Sequence, residues 1–200
     1  KVCAMRHIPI FTFINKMDRM GADFNRVVDE LKDKLKANAC AIELPIGKEE
    51  TFKGVIDLIN MKEIVYDEAS EGKKFTVGEI SSEFADDAAL ARAELVEKVA
   101  DLDEEVMPAF LEKGDLSAEE LVPAIRRQVV AGRLVPVLCG TSLRNKGVQP
   151  LLDAICAYLP SPLDRPSVTA TDLKSGEAVT RKQSESGVLT SIVFKIATDP

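Results

Sequence analysis

The sequence predicts an α/β fold, and three observations carry that prediction. Two apolar runs, residues 8–14 (IPIFTFI) and 134–139 (LVPVLC), have the uninterrupted character of strands buried on both faces. Each leads into a short polar loop and then into apolar residues at helical spacing, the strand–loop–helix unit of an α/β sheet. Between the two units, residues of about 37 to 131 form an acidic, locally complete block of short strands and helices, read as an inserted α+β subdomain.

The elements follow in order. In the first run Pro9 is tolerable only near the start, because proline cannot donate to a strand ladder. Residues 15–21 are turn-like, and Phe24, Val27, Val28, Leu31 and Leu35 then fall on one helical face. Residues 42–46, 52–59 and 64–66 read as short strands punctuated by Gly47, Gly54 and Gly72. A long helical stretch spans 82–113, broken near 101–104 and disturbed by Pro108. Ser117 and Glu120 form a capping box that opens a helix through Val130, with Gly132 placed to end it. Residues 149–159 make the second unit's helix, and 160–166 (PSPLDRP) read as a linker. Residues 188–196 read as the first strand of a further domain. No internal repeat or low-complexity tract is evident.

The 200 residues are 46% apolar and 30% charged, as in ordinary globular chains. A net charge of −7 weighs against nucleic-acid binding through the chain's own field. Cys3, Cys40, Cys139 and Cys156 are widely spaced, with no CxxC pair, and suit reduced thiols in a cytoplasmic protein rather than a zinc site or disulfide framework. No apolar run is long enough for a membrane span, and no metal site is expected. Lys1 is not an initiator Met and KIATDP ends abruptly, so both termini read as cuts from a longer chain.

One motif carries chemistry. Asn15-Lys-Met-Asp18 lies directly after a buried strand and before a helix, where open α/β sheets bind ligands. Guanine offers adjacent N1–H and N2–H₂ donors, and the Asp18 carboxylate can accept both. Adenine would present an acceptor at N1 and no amino group at C2. Asn15 can bond the N7 edge and brace the loop, while the Lys16 stem lies over the ring. The wrong base leaves polar groups unpaired, which gives the selectivity. Average composition produces a chance NKxD in roughly one chain of this length in forty, and the strand before and helix after make chance rarer. Gly140-Thr141-Ser142-Leu143 occupies the equivalent place after the second strand. A tight loop there can aim a backbone N–H at guanine O6, with Leu143 covering the ring face opposite Lys16. No GxxxxGK[ST] phosphate loop occurs in the chain. Asp18–Gly21 matches a short DxxG pattern but is a decoy, since Asp18 is already committed. His7, the sole histidine, is a surface or packing residue.

FINKMDRMGADF, LPIGKEETFKGVIDL, PVLCGTSLRNKGVQPLLDAICAYLPSPLD and FKIATDP, in that order, resemble the bacterial-type elongation factor G family over essentially the whole chain. The resemblance implies the C-terminal half of a P-loop-type GTPase fold in residues 1–36 and 132–160. It further implies the family's inserted subdomain in 37–131 and the start of a β-barrel domain in 161–200. It maps Asn15, Lys16 and Asp18 to the guanine-specificity loop and Thr141, Ser142 and Leu143 to the second base loop, with Ser142 in place of the usual Ala. It implies GTP or GDP as ligand, with Mg²⁺ ligands and catalytic groups upstream of Lys1, so the chain alone is expected not to hydrolyse GTP. Implied partners are the ribosome and, through the insertion, its stalk protein. Residues 3–19 are also similar to release factor 3, and other ribosomal GTPases remain an alternative, as does a chain acting mainly as a stalk-binding module.

Overall fold

A computed structural model describes residues 2–164, 166–191, 193, 195 and 196. They divide into two units, 1–159 and 160–200, each described by itself.

After a short helix α1 (Val2–Met5), the first unit is organised by a parallel sheet of β1 (Thr12–Ile14), β2 (Ala39–Ala41) and β7 (Val135–Cys139), in the order β1-β7-β2. Every residue of β7 is buried, as its central position demands. Phe13 pairs with Leu138 on one side of β7, and Cys40 with Pro136 on the other. Only the last three residues of the expected 8–14 strand form it. Pro9 cannot donate, and Ile8 and Ile10 lie before the point where β7 offers pairing, with both side chains exposed. Residues 39–41, within the block read as inserted, form a strand of this parallel sheet. Their side chains are too short and the run too brief to mark them as a strand.

Helix α2 (Phe24–Leu35) starts where the Asp23 carboxylate accepts the Arg26 N–H at 2.9 Å, a side-chain N-cap. Phe24 and Val28 are buried, whereas Leu35 is exposed. The chain then builds an antiparallel meander of β3 (Glu43–Ile46), β4 (Gly54–Asp57), β5 (Lys62–Tyr66) and β6 (Phe75–Gly78), in sequence order. Ile42, between β2 and β3, donates to the Val137 carbonyl at 3.1 Å, so the meander leaves directly from the parallel sheet.

Helices α3 (Ala85–Leu102), α4 (Met107–Lys113), α5 (Ala118–Val130) and α6 (Val148–Tyr158) complete the unit. The helical break falls at Asp103, whose buried carboxylate accepts from Arg127 Nε and Nη2 at 2.9 and 3.0 Å and from Gln128 Nε2 at 2.8 Å. Pro108 opens α4 rather than disturbing a helix, because a first-turn residue has no intrahelical N–H partner to lose. The Ser117–Glu120 capping box is present, with the Glu120 carboxylate accepting Ser117 N–H at 2.9 Å. Buried Arg92 donates to the carbonyls of Leu58 and Ile59, both at 2.8 Å, and to that of Leu116, tying α3 to the meander and to the start of α5.

Two apolar clusters result. The larger packs Leu58, Leu95, Val99, Leu121, Ile125 and Leu138 between the helices and the sheets. The smaller, of Ile14, Met17, Phe24, Val28, Phe52, Val55 and Val137, lies under the loop that follows β1.

In the second unit β8 (Val168–Thr171) pairs antiparallel with β9 (Ala178–Arg181), joined by a turn in which Asp172 Oδ1 accepts the N–H groups of Lys174 and Ser175 at 2.7 and 3.1 Å. The first strands of this unit therefore come earlier than residues 188–196. Residues 188–191, 193, 195 and 196 are not in a strand, and 192, 194 and 197–200 lie outside the described residues. The hairpin is almost wholly exposed, and the brief alternation Val168-Thr-Ala-Thr171 is too short to mark a strand in the sequence.

Candidate functional site

Parallel pairing of β1 with β7 brings their carboxyl ends side by side, and with them the loops 15–21 and 140–147. The junction is backbone-laced: Gly140 N–H donates to the Ile14 carbonyl at 3.0 Å, and Met17 N–H to the Gly140 carbonyl at 3.1 Å. A side chain at Gly140 would lie 2.4 Å from the Lys146 carbonyl oxygen and 2.7 Å from the Phe13 ring. Only glycine admits that approach.

Asn15 joins the two loops. Its Oδ1 accepts Lys16 N–H at 2.8 Å, Ser142 N–H at 3.0 Å and the Ser142 hydroxyl at 3.2 Å. Both backbone partners are donors, so the carboxamide must present its oxygen to them. Nδ2, without an acceptor among the described residues, is left as an outward donor. Lys16 takes φ +66°, turning the loop so that Met17 drops into the smaller cluster at 1% exposure. Met17, the variable position of the motif, is thus the loop's apolar anchor.

Asp18 is largely covered, and its Oδ2 lies 3.3 Å from Arg144 Nε of the second loop. Lys16 and Leu143 are both exposed, Leu143 at 83%. Thr141 is buried, and its backbone closes the second loop: Thr141 N–H reaches the Lys146 carbonyl at 2.9 Å, and Lys146 N–H reaches the Thr141 carbonyl at 3.2 Å. Ser142 N–H is spent on Asn15, which leaves Leu143 N–H, with no acceptor among the described residues, as the free backbone donor of this loop.

All six sequence-derived residues therefore lie on the two adjoining loops, with Asn15–Ser142 in direct contact. Sequence reasoning missed Arg144, Lys146 and Glu49. Arg144 reads as an ordinary surface cation, and Lys146, buried to 3% exposure, has no local pattern to announce its burial. The DxxG decoy is explained by the fold, since Gly21 N–H donates to Glu49 Oε1 at 2.7 Å. His7 is exposed and away from both loops in sequence.

Beneath the second loop, Glu43 is buried and accepts Cys139 N–H at 3.4 Å. Burial pushes its carboxyl up to about 8, with Asp57 adding to the rise and the Cys139 N–H opposing it. Burial likewise pushes the Cys139 thiol well up and the Cys40 thiol to about 11, so both are inert neutral thiols. A groove of about 780 Å³ lies between α2, β2, β3 and α3, with Met17 of the first loop in its wall. Among the described residues no group of three or more His, Cys, Asp or Glu is placed to hold a metal, and no helix is long and apolar enough to cross a membrane.

Residues 1–161 match the family described as the elongation factor Tu GTP binding domain. The chain belongs to that family of GTP-binding domains, the translational GTPases. A crystal structure of a protein from Thermus thermophilus is similar at 26% identity and a TM-score of 0.70, over 90% of this chain. The chain spans 28% of that protein's length.

Proposed function

We propose that this chain carries the guanine-recognition half of a translocation GTPase of the elongation factor G type. The observation that supports it most is the Asn15 carboxamide oxygen holding both loops at the carboxyl ends of β1 and β7. With the loops so held, Asp18 is the acceptor for guanine N1–H and N2–H₂, Asn15 Nδ2 the donor to N7, and Leu143 N–H the donor to O6. The Lys16 stem and the Leu143 side chain flank the ring.

Hydrolysis lies outside this reading. It needs a phosphate loop, Mg²⁺ and a positioned water, and the 200 residues contain no phosphate-loop motif. In the proposed parent protein those parts come from a preceding segment, and the ribosome is the macromolecular partner. Residues 37–131 are proposed as the inserted subdomain and 161–200 as the start of a β-barrel domain. A docking role for the insertion toward the ribosomal stalk protein is part of the same proposal.

The test is an amide NMR titration of the chain with GDP and with xanthosine diphosphate, which carries an oxygen where guanine has its amino group. GDP is expected to shift the amides of residues 15–18 and 141–144. In Asp18→Asn the preference should reverse toward xanthine by roughly a hundredfold, because the carboxamide donates to the xanthine O2 and still accepts from N1–H. Equal GDP binding by the wild type and Asp18→Asn, or no loop shifts at millimolar GDP, would overturn the assignment.

A further inference from the structure

The two base-reading loops touch each other through Asn15, but each is also tied to the same short turn of the neighbouring block. The turn is Glu49–Thr51, closed by the Phe52 N–H donating to the Glu49 carbonyl at 3.1 Å. At one end, Glu49 N–H donates to the Met17 carbonyl at 2.9 Å and Glu49 Oε1 accepts Gly21 N–H at 2.7 Å, holding the first loop twice. At the other end, the Phe52 carbonyl accepts Lys146 Nζ at 3.2 Å, holding the second loop. Between them the Phe52 side chain packs in the cluster that contains Met17.

Lys146 is the unusual member. Its side chain is only 4% exposed, and its ammonium is shared between the Phe52 carbonyl and Glu68 Oε1 at 2.9 Å. An ammonium is buried at this depth only where its hydrogen bonds offset the lost hydration. Lys146 is also the residue whose backbone closes the second loop against Thr141. The ammonium beside Glu68 holds that carboxyl below its ordinary range. Asn145 Nδ2 and Gln149 Nε2 both donate to the Gly72 carbonyl at 3.2 Å, adding one further tie to the block from the second loop and one from α6.

We propose that Lys146 is a positioning residue for base recognition, and that through it and Glu49 the turn 49–52 sets the spacing of the two guanine-reading loops. The inference rests on the guanine-reading proposal. Neither residue touches the base. They act through Met17, Gly21 and Thr141, whose backbones fix where Asp18 and the second-loop N–H stand. Selectivity for guanine over hypoxanthine, which lacks only the 2-amino group, should therefore depend on residues outside both motifs.

The experiment pairs amide hydrogen exchange with titrations of GDP and inosine diphosphate, on the wild-type chain, Lys146→Met, Lys146→Arg, Glu49→Ala and Glu68→Gln. In Lys146→Met, exchange at Thr141 and Ser142 should quicken about tenfold, and the GDP-over-IDP preference should fall by a similar factor. Lys146→Arg, which keeps a donor for Phe52, should restore part of both. Glu49→Ala should quicken exchange at Gly21 and lower the same preference. Glu68→Gln should do little, since Glu68 is 71% exposed and the Phe52 bond remains. Amides of α3 and α5 serve as the folding control. Should Lys146→Met unfold, Glu49→Ala still decides the matter, through exchange at Gly21 and the base preference. Unchanged loop exchange in a folded Lys146→Met, or unchanged base preference in Glu49→Ala, would overturn the proposal. A wild type that does not distinguish GDP from IDP would instead count against the guanine reading, while the exchange data would still report the tether.

Discussion

Replacing Glu43 with Gln should stabilise the first unit at alkaline pH and do little near pH 5. Glu43 is 4% exposed, with Asp57 as its cross-strand neighbour on β4, and among the described residues no cation pairs with it. Its folded value of about 8 lies above that of the unfolded chain, near 4.5. The folded state therefore binds the proton more tightly. The stabilisation this gives is complete below about pH 4.5 and is lost as pH rises toward 8. At about 1.4 kcal/mol per pH unit, the wild type should lose about 3 kcal/mol between pH 5.5 and 8 through this one group. Gln keeps the volume and the acceptor for Cys139 N–H but cannot ionise. The assay is urea unfolding at both pH values, followed by tyrosine fluorescence. The chain has no Trp, and its two tyrosines, Tyr66 and Tyr158, both lie in the first unit, so the signal reports that unit alone. A stability difference between the two proteins that does not change with pH would refute the reasoning and place the carboxylate in contact with water.

Two further outcomes are expected. Asp103→Ala should cost about 3–4 kcal/mol in urea unfolding at pH 7, because it strands the buried Gln128 amide and removes a two-pronged Arg127 pair. Arg127 holds the Asp103 carboxyl below its ordinary range, so this contribution is present above about pH 4 and is lost as pH falls through the folded value. Arg144→Ala should tighten GDP binding by about two- to fivefold at low salt, by freeing Asp18 Oδ2 for the base, with the gain fading near 0.5 M salt. Weaker binding by Arg144→Ala would show that the arginine assists the base rather than competing with it.

What the sequence made legible was what local chemistry encodes. The apolar run before Asn15 and that before Gly140 marked the two strands, Ser117 and Glu120 marked a helix start, and NKxD marked the loop that meets the one after Gly140. The strand Ala39–Ala41 escaped because three small residues carry no periodicity, and its identity comes from pairing with Val135–Val137. The hairpin of 168–181 escaped because its side chains are exposed, although Asp172 and Gly176 hold its turn chemistry. Glu43 and Lys146 escaped for a third reason. Charged residues ordinarily lie on the surface, and nothing beside them in sequence shows that Cys139 N–H or the Phe52 carbonyl will meet them. The Asn15–Ser142 bond spans 127 positions, a distance over which no local pattern speaks.

That separation bears on how the site is built. Closing a long excursion between β1 and β7 costs entropy that grows only with the logarithm of its length, about 0.6 kcal/mol per doubling. A long intervening block is therefore tolerable there, and its Leu95, Val99, Leu121 and Ile125 share one core with Leu138 of β7 and Tyr158 of α6. Loop-closure cost alone would be met by any compact block. The contacts of Glu49, Phe52, Lys146 and Gly72 go further, since they place polar groups of the block against both loops. A linker replacing the block could preserve the backbone bonds of Gly140 with Ile14 and Met17, yet it would leave the Lys146 ammonium with no buried acceptor. The parallel sheet brings the two loops together, and Glu49, Phe52 and Gly72 of the block hydrogen-bond to both.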